Sequence, residues 1–142
     1  MSKRESTFYL VDLFLAIYKI KKYTRAFSSA EALMYDELHW DAVMRELQIV
    51  GETISALQKQ KILDDQYRKI VDFRNVITHA YFGIDKSVVW DVVINKLPKL
   101  ENDMRLLCKE QSIDLSEALE DLIEEEKENN HLENVQYLLT LQ

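Results

Sequence analysis

Asp72-Phe73-Arg74-Asn75-Val76-Ile77-Thr78-His79-Ala80-Tyr81-Phe82-Gly83 is the stretch on which the reading of this chain turns. Advancing about 100° per residue from Arg74, the side chains of Phe73, Val76, Ile77 and Ala80 fall in one apolar arc, which is expected to face a core. Arg74, Asn75, Thr78, His79 and Tyr81 take the opposite arc, so five hydrogen-bonding groups share a face. Tyr67, Val71 and Phe82 project in that same direction, and apolar groups among polar ones mark a surface covered by another element or by a second subunit. The chemistry of the pair Arg74 and His79 is complementary. A guanidinium holds phosphate oxygens bidentately, and an imidazole titrates near neutral pH and moves a proton. RNA brings its own nucleophile, the ribose 2′-hydroxyl, so its cleavage needs a base, an acid and stabilisation of phosphorane charge, and no metal. One histidine supplies one proton-transfer group; a symmetric dimer joining two copies of the face supplies two.

The elements on either side read as helices. Val11, Phe14, Leu15, Tyr18 and Ile20 to Lys22 predict a first helix over about residues 6–27, ended by Ser28 and Ser29. Val43, Leu47, Val50, Ile54 and Leu57 predict a second over about 40–60, with Gly51 inside it, either for close approach of another backbone or as a tolerated substitution. Asp64 or Asp65 caps a third helix running to about Tyr81, with Gly83 as its stop. A fourth starts near Asp85 to Ser87 and carries Val89, Trp90, Val93, Leu97, Leu100, Met104 and Leu107. Pro98 implies a kink or break near Asn95. Asp114 or Ser112 caps a fifth over about 115–127, and Val135 to Leu141 closes the chain.

Length and composition agree with this reading. The 142 residues include only two Gly and one Pro, with 47% apolar residues, which argues for an all-α domain and against many tight turns. Cys108 is the sole cysteine, so no internal disulfide forms and a cytoplasmic location is expected. The apolar run from Phe8 to Ile20 is interrupted by Asp12 and Lys19 and is too short to span a membrane. The net charge of −7 is unevenly spread: residues 1–30 carry +4, residues 31–109 carry −2 and residues 110–142 carry −9. Local field governs attraction to an anion, so the total neither excludes nor supports one.

The ordered set Arg74-Asn75, His79 and Tyr81 resembles the motif of HEPN-domain proteins, specifically the HepT-like ribonuclease toxins of prokaryotic toxin–antitoxin pairs. Tyr9-Leu10-Val11-Asp12 with Ala16, Ile20 and Tyr23 resembles that family's first helix. Asp41-Ala42-Val43 and Leu47-Gln48-Ile49-Val50-Gly51-Glu52 resemble its second, and Phe82-Gly83-Ile84-Asp85 continues the motif. The likeness covers about residues 8–108. It implies an antiparallel helical bundle of four to five helices, here over 1–110; the residues beyond it read as an acidic helical extension over 111–142, expected to pack on the same domain. It further implies a homodimer in which the motif helices face each other, and a metal-independent endoribonuclease with no cofactor. By that likeness Arg74 and His79 are catalytic, Asn75 orients or assists, and Tyr81 receives AMP from a minimal, MntA-like nucleotidyltransferase antitoxin. An adenylate on Tyr81, about 20° from Arg74 around the helix, puts bulk and negative charge at the RNA phosphate site. Two departures stand out: residues 61–69 lack the Pro and Trp that relatives often carry, and the acidic extension lies outside the alignable part. That extension docks the antitoxin, shields the basic end of the first helix, or packs through Leu115, Leu119, Leu122 and Ile123, and packing is the expectation.

Other readings are weaker. Glu128 and His131 have the Glu-x-x-His spacing of bundle metal sites, yet only one copy exists. His39 beside Trp40 reads as structural. No Gly-rich phosphate loop and no Gly-Ser with paired aspartates is present, so this is not the modifying partner. The alternative is a non-catalytic helical subunit that presents nucleotide or substrate to a nucleotidyltransferase; a third is a purely structural interaction domain.

Overall fold

A computed structural model describes residues 3–79 and 83–142, with the backbone alone for residues 3, 4, 78 and 79. Its elements are helices throughout, and among the described residues there is no strand. The first, α1 (Lys3–Thr24), is apolar nearly all round: Leu10, Val11, Leu13, Phe14, Leu15, Ala16, Ile17 and Ile20 are all buried. A helix of that kind has to be covered on several sides. It is: α3 (Glu37–Lys59), α6 (Leu97–Glu110), α7 (Ser116–Glu128) and α8 (Leu132–Leu139) all pack on it. The run that resembles a membrane segment in composition is therefore the axle of the bundle, and no helix among the described residues is long and apolar enough to cross a membrane.

On α3 the whole expected stripe of Val43, Leu47, Val50, Ile54 and Leu57 is buried, at 0–2% exposure. Its other flank receives α4 (Arg68–His79), which follows a single 3₁₀ turn over Asp65–Tyr67. Two elements differ from expectation. Residues Ala30–Tyr35 form a short helix, α2, started by Ser29, whose hydroxyl accepts the Ala32 N–H at 3.1 Å. With under two turns and only Ala30 and Leu33 buried, it has no repeating stripe to read. The expected fourth helix is divided into α5 (Lys86–Asp91), a π-helical stretch over Val92–Lys96, and α6. Pro98, second in α6, lacks an N–H and crowds the carbonyl four residues back, and the widened turn before it absorbs both effects. The expected break near Asn95 is this turn.

Aspartates stand at the start of four of these helical segments. Asp36 accepts the His39 N–H (3.1 Å), Asp64 that of Gln66 (3.0 Å), Asp85 that of Ser87 (2.8 Å) and Asp114 that of Ser116 (2.9 Å). The first helix ends at Thr24, short of the expected Phe27, and the second begins at Glu37 because Asp36 caps it. The stop expected at Gly83 adjoins residues 80–82, which lie outside the described residues. Three other helix ends are turned by Lys61 (φ 60°), Ser112 (φ 51°) and Asn130 (φ 59°). Each is followed by an N–H that reaches back over the turn, Ile62 to Leu57, Ile113 to Cys108 and His131 to Glu126, which satisfies a terminal carbonyl.

The C-terminal helices both pack on α1 and cover its basic end. Leu115, Ala118, Leu119, Ile123, Val135 and Leu138 are buried. Tyr137 stacks on Tyr18 with centroids 4.3 Å apart, Lys22 Nζ donates to Asn134 Oδ1 at 2.7 Å, and Arg25 donates to Glu133. Packing and shielding, separate options in the sequence, operate together.

Non-glycine residues in the left-handed region carry a steric cost that glycine escapes, partly offset by the greater freedom of glycine in the unfolded chain. Lys61→Gly and Ser112→Gly are each expected to raise stability by about 0.5–1 kcal/mol, and Asn130→Gly by less because Asn tolerates this region. Urea unfolding midpoints check this; a loss at Lys61 and Ser112 contradicts it.

Candidate active site

Helix α4 is held at its start by a polar tether. Gln58 on α3 donates its amide to the Asp64 carbonyl at 2.9 Å. The buried Tyr67 hydroxyl donates to Asp103 Oδ2 at 2.9 Å, and Lys99 Nζ donates to the same oxygen at 2.8 Å. Burial pushes the Tyr67 phenol well above its ordinary range, so it stays a donor, while the Lys99 hydrogen bond holds the Asp103 carboxyl below the usual value. One carboxylate on α6 thus ties down the turn that launches α4. These three groups border a cavity of about 640 Å³ between the end of α3, this turn and α6.

The middle of α4 is seated on α3. Ile77 is 1% exposed, Ile70, Val71, Phe73 and Arg74 are half-buried, and Asp72, Asn75 and Val76 are exposed. The buried arc is therefore rotated from the one expected. Val76, placed with the core by its apolar side chain, is 46% exposed, and Arg74, placed opposite the core, lies toward α3. The reason is the arginine's aliphatic stem, which packs as an apolar group while its head remains polar. It fits because the facing residue is Gly51: a Cβ there would stand 2.2 Å from Arg74 Cβ and 2.5 Å from Arg74 Cγ. The covering expected over Tyr67 and Val71 is supplied within the chain, Tyr67 being buried and Val71 half-buried.

The structure thus brings Arg74 to the α3–α4 contact and puts Asn75 beside it on the exposed side of α4. His79 is the last residue of α4, five positions beyond Arg74 or about 7.5 Å along the axis; its side chain lies outside the described set. Tyr81, Ala80 and Phe82 lie outside the described residues. Next to the exposed side of α4 runs a groove of about 510 Å³, with Phe73, Val76, Val88 and Val92 in its walls and Lys69 and Lys96 among its lining residues. The Glu128 and His131 pairing does not form: His131 Nδ1 lies 2.5 Å from Glu126 Oε2, and Asn134 donates to the same oxygen at 3.5 Å. His39 Nδ1 lies 2.9 Å from the capping Asp36 Oδ1, a structural role as expected.

Sequence reasoning missed the Tyr67 and Asp103 tether. The spacing of Lys99 and Asp103 is visible as a helical ion pair, but the tyrosine joins it from 36 residues away.

Comparison with known proteins places the chain. The model of the ribonuclease HepT-like family matches residues 14–107. The chain is 32% identical over 110 residues to "Probable ribonuclease HepT" of Thermococcus cleftensis, covering 75% of this chain and 99% of that one. It is 29% identical over 133 residues to "Putative RNase MJ0127" of Methanocaldococcus jannaschii, covering 92% and 99% respectively. "Putative RNase MJ1380" of the same organism is 26% identical over 110 residues, 75% of this chain and 100% of that one. No solved structure gives a significant match. The chain belongs to the HepT-like ribonuclease family, and its helical bundle is the fold that the HEPN resemblance implies.

Asp103 binds its proton more weakly in the folded chain than in the unfolded one. Its contribution to stability is therefore complete above the ordinary aspartate pKa and is lost as pH falls through the lowered folded value. Asp103→Asn is expected to be less stable near neutrality and to show a smaller further loss between about pH 5 and about pH 2 than the parent. Urea titrations across that range measure it; parallel curves for the two proteins contradict it.

Proposed function

We propose that this chain is a metal-independent endoribonuclease toxin acting in the cytoplasm as a homodimer, with the reaction carried by Arg74, Asn75 and His79. The observation that carries this reading is that α4, in a chain of the HepT-like family, bears Arg74, Asn75 and His79 in order, with the Arg74 stem seated on α3 and Asn75 exposed beside it. The ribose 2′-oxygen attacks the adjacent phosphorus, its proton passes to a base, and the bond to the 5′-oxygen breaks as that oxygen takes a proton. A 2′,3′-cyclic phosphate and a 5′-hydroxyl remain. His79 of one protomer serves as base and its mate as acid, Arg74 neutralises the charge growing on the phosphorane oxygens, and Asn75 orients the phosphate. Two copies of α4 meeting across a two-fold axis supply both histidines to one cleft. The bundle over 1–110 carries the activity, and the extension over 111–142 is an added layer of the same domain.

Control of the toxin follows from the same helix. A nucleotidyltransferase antitoxin transfers AMP from ATP to the Tyr81 hydroxyl, whose oxygen bonds to the α-phosphorus as pyrophosphate leaves and the proton passes to solvent, and the added negative charge competes with RNA phosphate for Arg74.

Purified chain without a partner is expected to cut single-stranded RNA in EDTA and leave a cyclic phosphate. His79→Ala, with an unchanged circular dichroism spectrum, is expected to lose at least about 100-fold in rate, the lower end for a lost proton-transfer group. Undiminished cleavage by that variant rejects the assignment.

A further inference from the structure

Gly51 occupies the interior of α3, where glycine is a poor helix former, so something other than local preference accounts for it. The three atoms nearest to where a Cβ would stand all belong to Arg74: Cβ at 2.2 Å, Cγ at 2.5 Å and Cα at 3.6 Å. The first two distances are far inside contact; the third is ordinary. What the missing side chain makes room for is thus the root of the arginine side chain. Because that root is fixed to the backbone, no rotation about a side-chain bond relieves the clash, and any larger residue has to drive α3 and α4 apart. Val50 and Ile54 on α3, and Ile77 one turn along α4, are buried at 0–1% exposure. The Arg74 Nε is itself shielded from solvent while the residue as a whole stays half-buried. Gly83 presents the contrast, with nothing within 4 Å of where its Cβ would stand.

We propose that Gly51 is a positioning residue for the ribonuclease reaction: the slot it leaves in α3 seats the Arg74 stem and sets where the guanidinium meets the RNA phosphate. This rests on the reading of Arg74 as the phosphate-stabilising group. It acts through Arg74 and touches no substrate, so its loss lowers turnover more than binding. Displacement of a reacting group by about 1 Å costs about 100-fold in rate.

The test compares Gly51→Ala with Leu119→Ala, a cavity variant in α7 that lowers stability away from α4, at a temperature where both are folded. Gly51→Ala is expected to lose about 100-fold in kcat with KM for RNA changed by less than about threefold, while Leu119→Ala keeps the parent values. In parallel, the Nε–Hε NMR signal of Arg74, assigned by its absence in Arg74→Lys, is expected to shift in Gly51→Ala and to stay in place in Leu119→Ala. An unmoved signal, or a kcat equal to that of the control, overturns the proposal. If the parent chain cuts no RNA at all, the ribonuclease reading fails, while the NMR signal still reports on the seat. Should Gly51→Ala not fold, Gly51→Ala/Arg74→Gly removes the clashing atoms. Recovery of folding supports the seat, and failure of the double variant to recover overturns it.

Discussion

The contact between Gly51 and the stem of Arg74 is the constraint on which the site depends. Helix α4 is short and only partly apolar: among its described side chains Ile77 alone is buried, and the others are half-buried or exposed. Such a helix takes its position from what it touches rather than from its own propensity. Three contacts fix it: the Gln58 bond at its entry, the Tyr67 bond to Asp103, and the arginine stem sunk into the one gap on α3. The first two hold the end that carries no proposed chemistry. The third holds the residue proposed to meet the phosphate, so packing and chemistry converge on a single side chain.

Around α1, charges are mostly consumed internally. Lys19 approaches the buried Glu46 at 3.5 Å, and burial raises that carboxyl while the lysine opposes the rise. Lys22 and Arg25 are engaged by Asn134 and Glu133 of α8. The basic end of α1, one of the features that the acidic extension was free to shield, is thereby engaged by it. The groove beside α4 is lined by charges of both signs, Lys69, Lys96 and Lys99 with Asp72, Asp91 and Asp103.

How much of this was legible beforehand follows from the range of each interaction. The stripes on α3 and α6 and the capping aspartates are local, set by spacing within one element, and appear where periodicity puts them. The register of α4 was misjudged because a long arginine was counted as purely polar and Val76 as core, whereas burial is shared between stem and head. The turns that end α3, α6 and α7 carry no glycine; Lys61, Ser112 and Asn130 take the left-handed conformation there, and reaching-back hydrogen bonds sustain it. Gly51 was visible as an anomaly, but its partner lies 23 residues away and only the fold pairs them. Within the candidate site, the residues were named by their chemistry and by likeness to a family; the sequence showed Gly51 as out of place in a helix but not that it faces Arg74.

The most direct measurement of the central claim uses an oligonucleotide with a single ribose in an otherwise 2′-deoxy strand, cut under single-turnover conditions by the parent chain and by folded Arg74→Ala. The account predicts one cut, on the 3′ side of the ribose, leaving a cyclic phosphate, with the rate in Arg74→Ala falling by orders of magnitude. Cleavage of the all-deoxy strand at the same rate, or an Arg74→Ala rate equal to that of the parent, would contradict it.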